Sequence, residues 1–190
     1  MALLKHNASL RIWGKRAAAV WLTLAAVTFA GPEARAQDSL EYEVKAAYLA
    51  KFAPFIEWPA RAFSSPTTPL TICVVGPDPF GPLLDRAAAG ERDGDRPVTI
   101  RRLAAPAPDC QILFADGDNQ AVNNVLGAEK DRPVVTVTDS GARAHGIISF
   151  VVTGNHVRFD IDEAAANAVG IHISSKLLDL AHAVKKGARP

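Results

Sequence analysis

From Gly146 to Val184 the chain reads GIISFVVTGNHVRFDIDEAAANAVGIHISSKLLDLAHAV. A run of β-formers ends at Gly154-Asn155. Apolar and polar residues then alternate strictly, with Val157, Phe159 and Ile161 set against Arg158, Asp160 and Asp162. Two such runs joined by Gly-Asn predict a hairpin, because a tight hairpin turn takes residues that tolerate positive φ. Asp162 is placed to cap an alanine-rich helical turn, and Ser174 or Ser175 to cap a last helix. A hairpin feeding two helices has to close onto a sheet built by the preceding residues.

The pattern upstream supplies that sheet. Residues 39–53 repeat apolar positions at helical spacing (Leu40, Val44, Ala47, Tyr48, Phe52), with Glu41, Lys45 and Lys51 on the other faces and Asp38 or Ser39 as cap. Pro54 stops or kinks this helix before Phe55-Ile56-Glu57-Trp58-Pro59. Residues 60–69 are a loop. Leu70–Val75 is a short apolar strand, followed by Asp78 as cap and Pro79 at the first position of a helix reaching about Ala89. Val98–Leu103 is a strand whose Arg101 and Arg102 place it near an edge. Cys110–Ala115 is a second apolar strand, Asp118 opens a helix bearing Val122, Val125 and Leu126, and Val134–Val137 is another buried strand. Strands separated by helix-length segments predict an α/β fold: a single domain with a mostly parallel central sheet, helices on both faces and a C-terminal antiparallel hairpin.

The first 36 residues stand apart from this pattern. Lys5, Arg11, Lys15 and Arg16 precede the uniformly apolar residues 17–30, and Ala34-Arg35-Ala36 fits a small-residue cleavage site. These are the three marks of a secretory signal peptide. Fourteen apolar residues span only about 21 Å as a helix against a hydrocarbon core of about 30 Å, which favours removal over anchoring. The leader takes five of the 21 basic residues and one of the 20 acids, so the mature chain has a net charge near −3. An exported, mildly acidic chain without a basic patch is not built for nucleic acid. Cys73 and Cys110 both lie in the mature part, either as one disulfide or as two buried thiols.

Candidate chemistry is sparse. Gly76-Pro77-Asp78-Pro79-Phe80-Gly81 lies where a phosphate loop would, but its prolines remove the backbone donors such a loop needs. Asp116, Asp118 and Asp139 fall at strand ends, where α/β folds bind ligands, although cap and turn roles account for Asp118 and Asp139. His145, His156, His172 and His182 lack metal-ligand spacing. Ser174-Ser175-Lys176 is not the S-x-x-K arrangement of a Ser–Lys nucleophile. No catalytic set, metal site or cofactor is expected. Trp58, at a helix end before a proline, suits an interface.

The segments VKAAYLAKFAPFIEWP, ICVVGPDPFG, CQILFAD, VVTVTD and the Gly146-to-Ala181 stretch, in that order, resemble the YfiR-like family of periplasmic proteins. The resemblance spans residues 40–184 and departs from the family pattern at Pro54 and in lacking cysteines around Ile147–Val152. It implies a non-enzymatic regulator that binds the periplasmic domain of an inner-membrane diguanylate cyclase and represses cyclic-di-GMP synthesis. It also implies sequestration by an OmpA-like outer-membrane lipoprotein, a homodimer, and pairing of Cys73 with Cys110. The surface expected to meet the partner is Phe150, Glu163, Val169 and Ile171 of the C-terminal unit, together with Trp58. The other reading is a periplasmic small-ligand-binding module that uses the strand-end crevice near Asp116 and Asp139.

Overall fold

A computed structural model describes residues 32–187, with side chains from Ser39 onward. The expected leader lies outside the described residues up to position 31, and the first helix, α1 (Pro32–Lys51), runs through the expected cleavage point after Ala36. No helix among the described residues is long and apolar enough to cross a membrane. The described residues from Ala36 onward, 36–187, belong to one compact unit.

The elements that follow α1 are β1 (Ile56–Glu57), β2 (Leu70–Val75), α2 (Pro82–Ala88), β3 (Arg92–Asp93), β4 (Arg96–Leu103), β5 (Ile112–Ala115) and α3 (Asn119–Glu129). Then come β6 (Val135–Thr138), β7 (Ile148–Thr153), β8 (His156–Asp162), α4 (Glu163–Ala168), β9 (His172–Ile173), α5 (Ser175–Leu180) and β10 (Ala183–Lys185). Eight strands form the main sheet in the order β10-β8-β7-β6-β5-β2-β4-β3. Its centre is parallel, the β7–β8 hairpin is antiparallel, and β10 returns parallel to β8. β1 and β9 pair separately as a two-residue antiparallel ladder. The α/β fold expected from the pattern is the one observed.

Period-two alternation divides each central strand between two cores. On one face Ile72, Val74, Ile112, Phe114, Val135, Val137, Ile148, Phe150, Phe159 and Ile161 pack under α1, α2, α4 and α5. On the other face Cys73, Val75, Leu113 and Ala115 pack under α3. Helices therefore cover both faces, unevenly. The hairpin turn has Gly154 at φ 56° and Asn155 at φ 66°, and Thr153 faces His156. Two consecutive left-handed residues match the right-handed twist of the strands they join. Asp162 accepts from Ala165 N at 2.9 Å and Ser174 from Leu177 N at 3.4 Å, so both expected caps form.

Two local expectations are corrected. α1 starts upstream of Asp38 and Ser39, and it turns a different stripe inward: Lys45, Ala46, Leu49, Ala50 and Phe52 are buried while Leu40 is 61 % exposed. Small alanines let the helix sit close on the sheet, and Leu40 falls beyond the sheet-facing side. Asp78 does not cap a helix at Pro79. Its carboxylate holds a turn, accepting from Phe80 N at 2.8 Å and Gly81 N at 3.2 Å, and Pro82 opens α2. The last helix stops at Leu180, because the outer edge of β8 takes Ala183–Lys185 as a further strand, with Lys185 Nζ 2.7 Å from Asp162. That short, charged strand replaces a longer bare edge.

Cys73 and Cys110 form a disulfide, with Cα atoms 5.8 Å apart, between β2 and the residues entering β5. It closes a loop with a sequence separation of 37 residues, worth about 3–4 kcal/mol in the chain-entropy account. Replacing both cysteines by serine is expected to lower the unfolding free energy by about that amount in a urea titration, without altering the far-UV spectrum. In the hairpin, Gly154→Val is expected to cost about 1–2 kcal/mol in the same titration, because a β-branched residue resists positive φ.

Candidate functional site

Two places combine concavity with polar or aromatic side chains. The first lies at the carboxyl ends of β5 and β6. The chain passes from β2 through α2 to β4 on one side, then returns to β5 on the other side of β2 and continues through α3 to β6. The strand order thus reverses between β2 and β5, and α/β folds leave a crevice at such a point. One step along the sheet from that point, between the ends of β5 and β6, a cleft of about 380 Å³ is lined by Tyr42, Asp116, Gly117, Val122, Asp139 and Ser140.

Its wall is an ion-pair network that the hydrophobic pattern concealed. Lys45, placed on an outer face of α1 by its charge, is fully buried. Its ammonium pairs with Glu41 one turn back and with Asp139 just past β6. It lies 4.6 Å from the centre of the Tyr42 ring and 6.0 Å from that of Phe150. Tyr42 donates its hydroxyl to the other Asp139 oxygen at 2.9 Å, and Ser140 N donates to Asp139 at 2.6 Å. Burial pushes the Asp139 carboxyl up, but the Lys45 hydrogen bond and charge, with the Ser140 and Tyr42 donors, outweigh it and hold the group below the usual carboxylate range. Burial, then the Asp139 charge, raise the Tyr42 phenol well above its ordinary value. Asp139 is therefore a structural anion as well as a turn residue. Asp116 is half-buried and accepts from its neighbour Gly117 N at 2.8 Å, and Asp118 caps α3 through Ala121 N at 2.8 Å.

The second place is where β1 meets β9. Ile56 faces Ile173, Glu57 faces His172, and Ser174 N donates to Phe55 O at 2.9 Å. Arg61 Nη2 donates to the Val169 carbonyl at 2.6 Å. Gly170, at φ 79°, lets the Arg61 guanidinium and Pro59 approach to within 4 Å of where a Cβ would stand. Trp58 and the Val169–Ile171 link, far apart in sequence, are thus parts of one small assembly. Beside it, Trp58 and Phe63 meet edge to face at 6.3 Å, Arg96 stacks on Phe63 at 3.8 Å, and a groove of about 580 Å³ is lined by Ile56, Glu57, Trp58, Phe63, Asp93 and Arg96.

The surface expected from sequence is only partly a surface. Phe150 is 1 % exposed, Ile171 0 % and Val169 7 %. Phe150 belongs to an aromatic cluster with Tyr48 at 6.4 Å and Phe52 at 6.2 Å, while Phe159 lies 5.3 Å from Tyr48 and 5.2 Å from Phe52. Burying such a side chain contributes about 1.5–3 kcal/mol, so these three residues serve packing and offer no side chain to a partner in this fold. Glu163, in the first turn of α4, and Trp58 remain accessible in part. Sequence reasoning missed Lys45, Tyr42 and Arg61. The signal for the first two was their place on the Tyr42–Ala46–Leu49–Phe52 stripe, where a lysine needs an anion. Arg61 had no local signal. Among the described residues no group of three or more His, Cys, Asp or Glu side chains is arranged to hold a metal ion.

Removing one member of a buried pair leaves an uncompensated charge, so Asp139→Asn is expected to cost about 3–5 kcal/mol and Lys45→Met a comparable amount. The double replacement should cost less than the two singles together, as a double-mutant cycle in urea would read. The Asp139 pKa is depressed on folding, so its contribution is present above pH ~4, the unfolded value, and is lost as pH falls through the folded one. Stability against pH should therefore fall less steeply on acidification in Asp139→Asn than in the wild type.

Comparison with curated proteins gives no match. A family model does match, that of the YfiR/HmsC-like proteins, over residues 42–182. The matched span begins at Tyr42 and includes Lys45, the disulfide, Asp139, both β1 and β9, and the whole hairpin. With about three quarters of its length inside that match, the chain belongs to the YfiR/HmsC-like family.

Proposed function

We propose that this chain is an exported periplasmic regulator that binds the sensor domain of an inner-membrane diguanylate cyclase and represses it, lowering cyclic-di-GMP. The observation that carries this reading is the family match over residues 42–182. The protein acts by binding, not by catalysis. A repressor that prefers the inactive sensor conformation shifts the cyclase toward inactivity by the difference between its two affinities. The partner surface is the accessible part of the expected set: Trp58 on the β1–β9 assembly, and Glu163 at the start of α4. Phe150, Val169 and Ile171 act behind it, holding the backbone that presents it. An OmpA-like outer-membrane lipoprotein competes for the protein, and the protein itself works as a homodimer.

A second reading rests on the cleft at the carboxyl ends of β5 and β6. A periplasmic small-ligand-binding module would use Asp116 and the Ser140 loop beside the Lys45–Asp139 wall. A thermal-shift screen with nucleotides and amino acids separates the two. Saturable stabilisation abolished by Asp116→Asn, without any binding to a cyclase domain, would favour the module.

The repressor reading is tested by titrating the mature chain with the isolated periplasmic domain of a diguanylate cyclase from the same cell. Saturable binding is expected, weakened at least tenfold by Trp58→Ala when measured at a temperature where far-UV circular dichroism shows the variant folded, since a central Trp commonly contributes more than about 1.4 kcal/mol. Glu163→Lys should act more weakly and more so at low salt. Absence of binding under both oxidising and reducing conditions would sink the proposal.

A further inference from the structure

α3 packs its apolar stripe, Val122, Val125 and Leu126, onto the disulfide-bearing face of the sheet, and the next position on that stripe is Glu129. Its residue is 2 % exposed. One carboxylate oxygen accepts from Arg132 Nη1 at 2.6 Å. The other, Oε2, is buried with no hydrogen-bond partner among the described residues. Arg132 reaches further: its Nη2 donates to the Ala107 carbonyl at 3.2 Å, and the same carbonyl accepts from Cys110 N at 3.4 Å. The end of α3, the turn into β6 and the segment that delivers Cys110 are thereby joined through one guanidinium.

A carboxylate buried with half its acceptors empty is costly when ionised and much less so when neutral. The charges around it are few. β5 (ILFA) and β6 (VTVT), the strands under α3, carry no ionisable side chain. Lys130, Asp131 and Asp109 are exposed, and Asp109 is engaged by Arg101. Arg132 alone opposes the effect of burial, and burial outweighs it, so the Glu129 carboxyl lies above its ordinary value.

We propose that Glu129 is a proton-operated latch on the Ala107–Cys110 segment: neutral, it seats the end of α3 against the disulfide-bearing face, and ionised, it loosens that seat. The pH around the protein then sets how often this face opens. The direction follows from linkage. A folded-state pKa raised above the unfolded value of about 4.3 contributes stability that is fully present below that value. The contribution is lost as pH rises through the folded one. One proton limits the effect to a tenfold change in the opening equilibrium per pH unit.

The test is hydrogen exchange of the full chain with its disulfide intact, from pH 4.5 to 8, after correction for intrinsic exchange. In the wild type, the opening constant of amides in 107–112 and 129–135 is expected to rise with pH by up to tenfold per unit and then level off. In Glu129→Gln, whose amide oxygen still accepts from Arg132, that rise should be absent, while amides around Gly154 behave alike in both proteins. Arg132→Gln, which removes the opposing charge, should move the wild-type rise to higher pH. Matching pH profiles for wild type and Glu129→Gln would overturn the proposal. So would an opening constant that falls with pH over the same window, or an Arg132→Gln midpoint that does not move.

Discussion

The burial of one ammonium constrains much of this molecule. Lys45 has no water to solvate it, so the fold has to bring anions to it, and Asp139 and Glu41 are those anions. Meeting that demand fixes the rotation of α1 about its own axis and the position of the turn that leaves β6. With α1 rotated in this way, Tyr48 and Phe52 face Phe150 and Phe159 of the hairpin, and the larger of the two cores closes around them. A hydrophobic residue at position 45 would pack α1 on the sheet without choosing among neighbouring rotations, whereas a buried charge admits one arrangement. Specificity of this kind is the best-attested use of buried polar groups.

The two faces of the sheet are then held by different means. Four helices and a cluster of aromatic rings cover the face that includes Phe150, and van der Waals packing suffices there. The other face has α3 alone, a smaller apolar cluster, and a cross-link between β2 and the approach to β5. Where apolar area is limited, a disulfide that restricts the unfolded chain supplies what burial does not. Polar pairs extend the same face past α3, with Thr138 donating to Ser149 at 3.1 Å across β6 and β7. The uneven cover explains why the cysteines sit where they do, on the thinly packed side.

The legible parts of the chain were those set by local rules. Alternation in β8, the Gly154-Asn155 turn, the Asp162 and Ser174 caps and the apolar runs at β2, β5 and β6 each follow from residues a few positions apart. What was not legible depends on partners distant in sequence. Lys45 reads as solvent-facing until Asp139, 94 residues away, is known to meet it. β10 carries no strand signal of its own until the open edge of β8 is known to need a neighbour. Phe150 and Ile171 read equally well as surface or as core, since an apolar residue beside a hairpin or a glycine carries no mark of which side is covered. For the candidate site the consequence is specific: residues named for a partner from their place in the chain are mostly buried in packing, while Trp58 joins the same assembly from the other end of the chain.

That convergence bears on where a binding surface can sit. A patch that must hold its shape on meeting a partner needs a rigid support, and β1–β9 alone is too short to provide one. The support comes from three contacts that arrive independently. Ile56 and Ile173 anchor the ladder in the larger core, Arg61 ties its own loop to the Val169 carbonyl, and Gly170 removes the side chain that would keep the two apart. With these in place Trp58 is held partly open between Phe63 and the groove beside it, its indole N–H buried without a hydrogen-bond partner among the described residues. A donor left in that condition costs free energy in the isolated protein. The packing of Trp58 on Phe63 and the support of the Ile56–Ile173 ladder therefore have to offset that unmet bond for this edge to keep its shape.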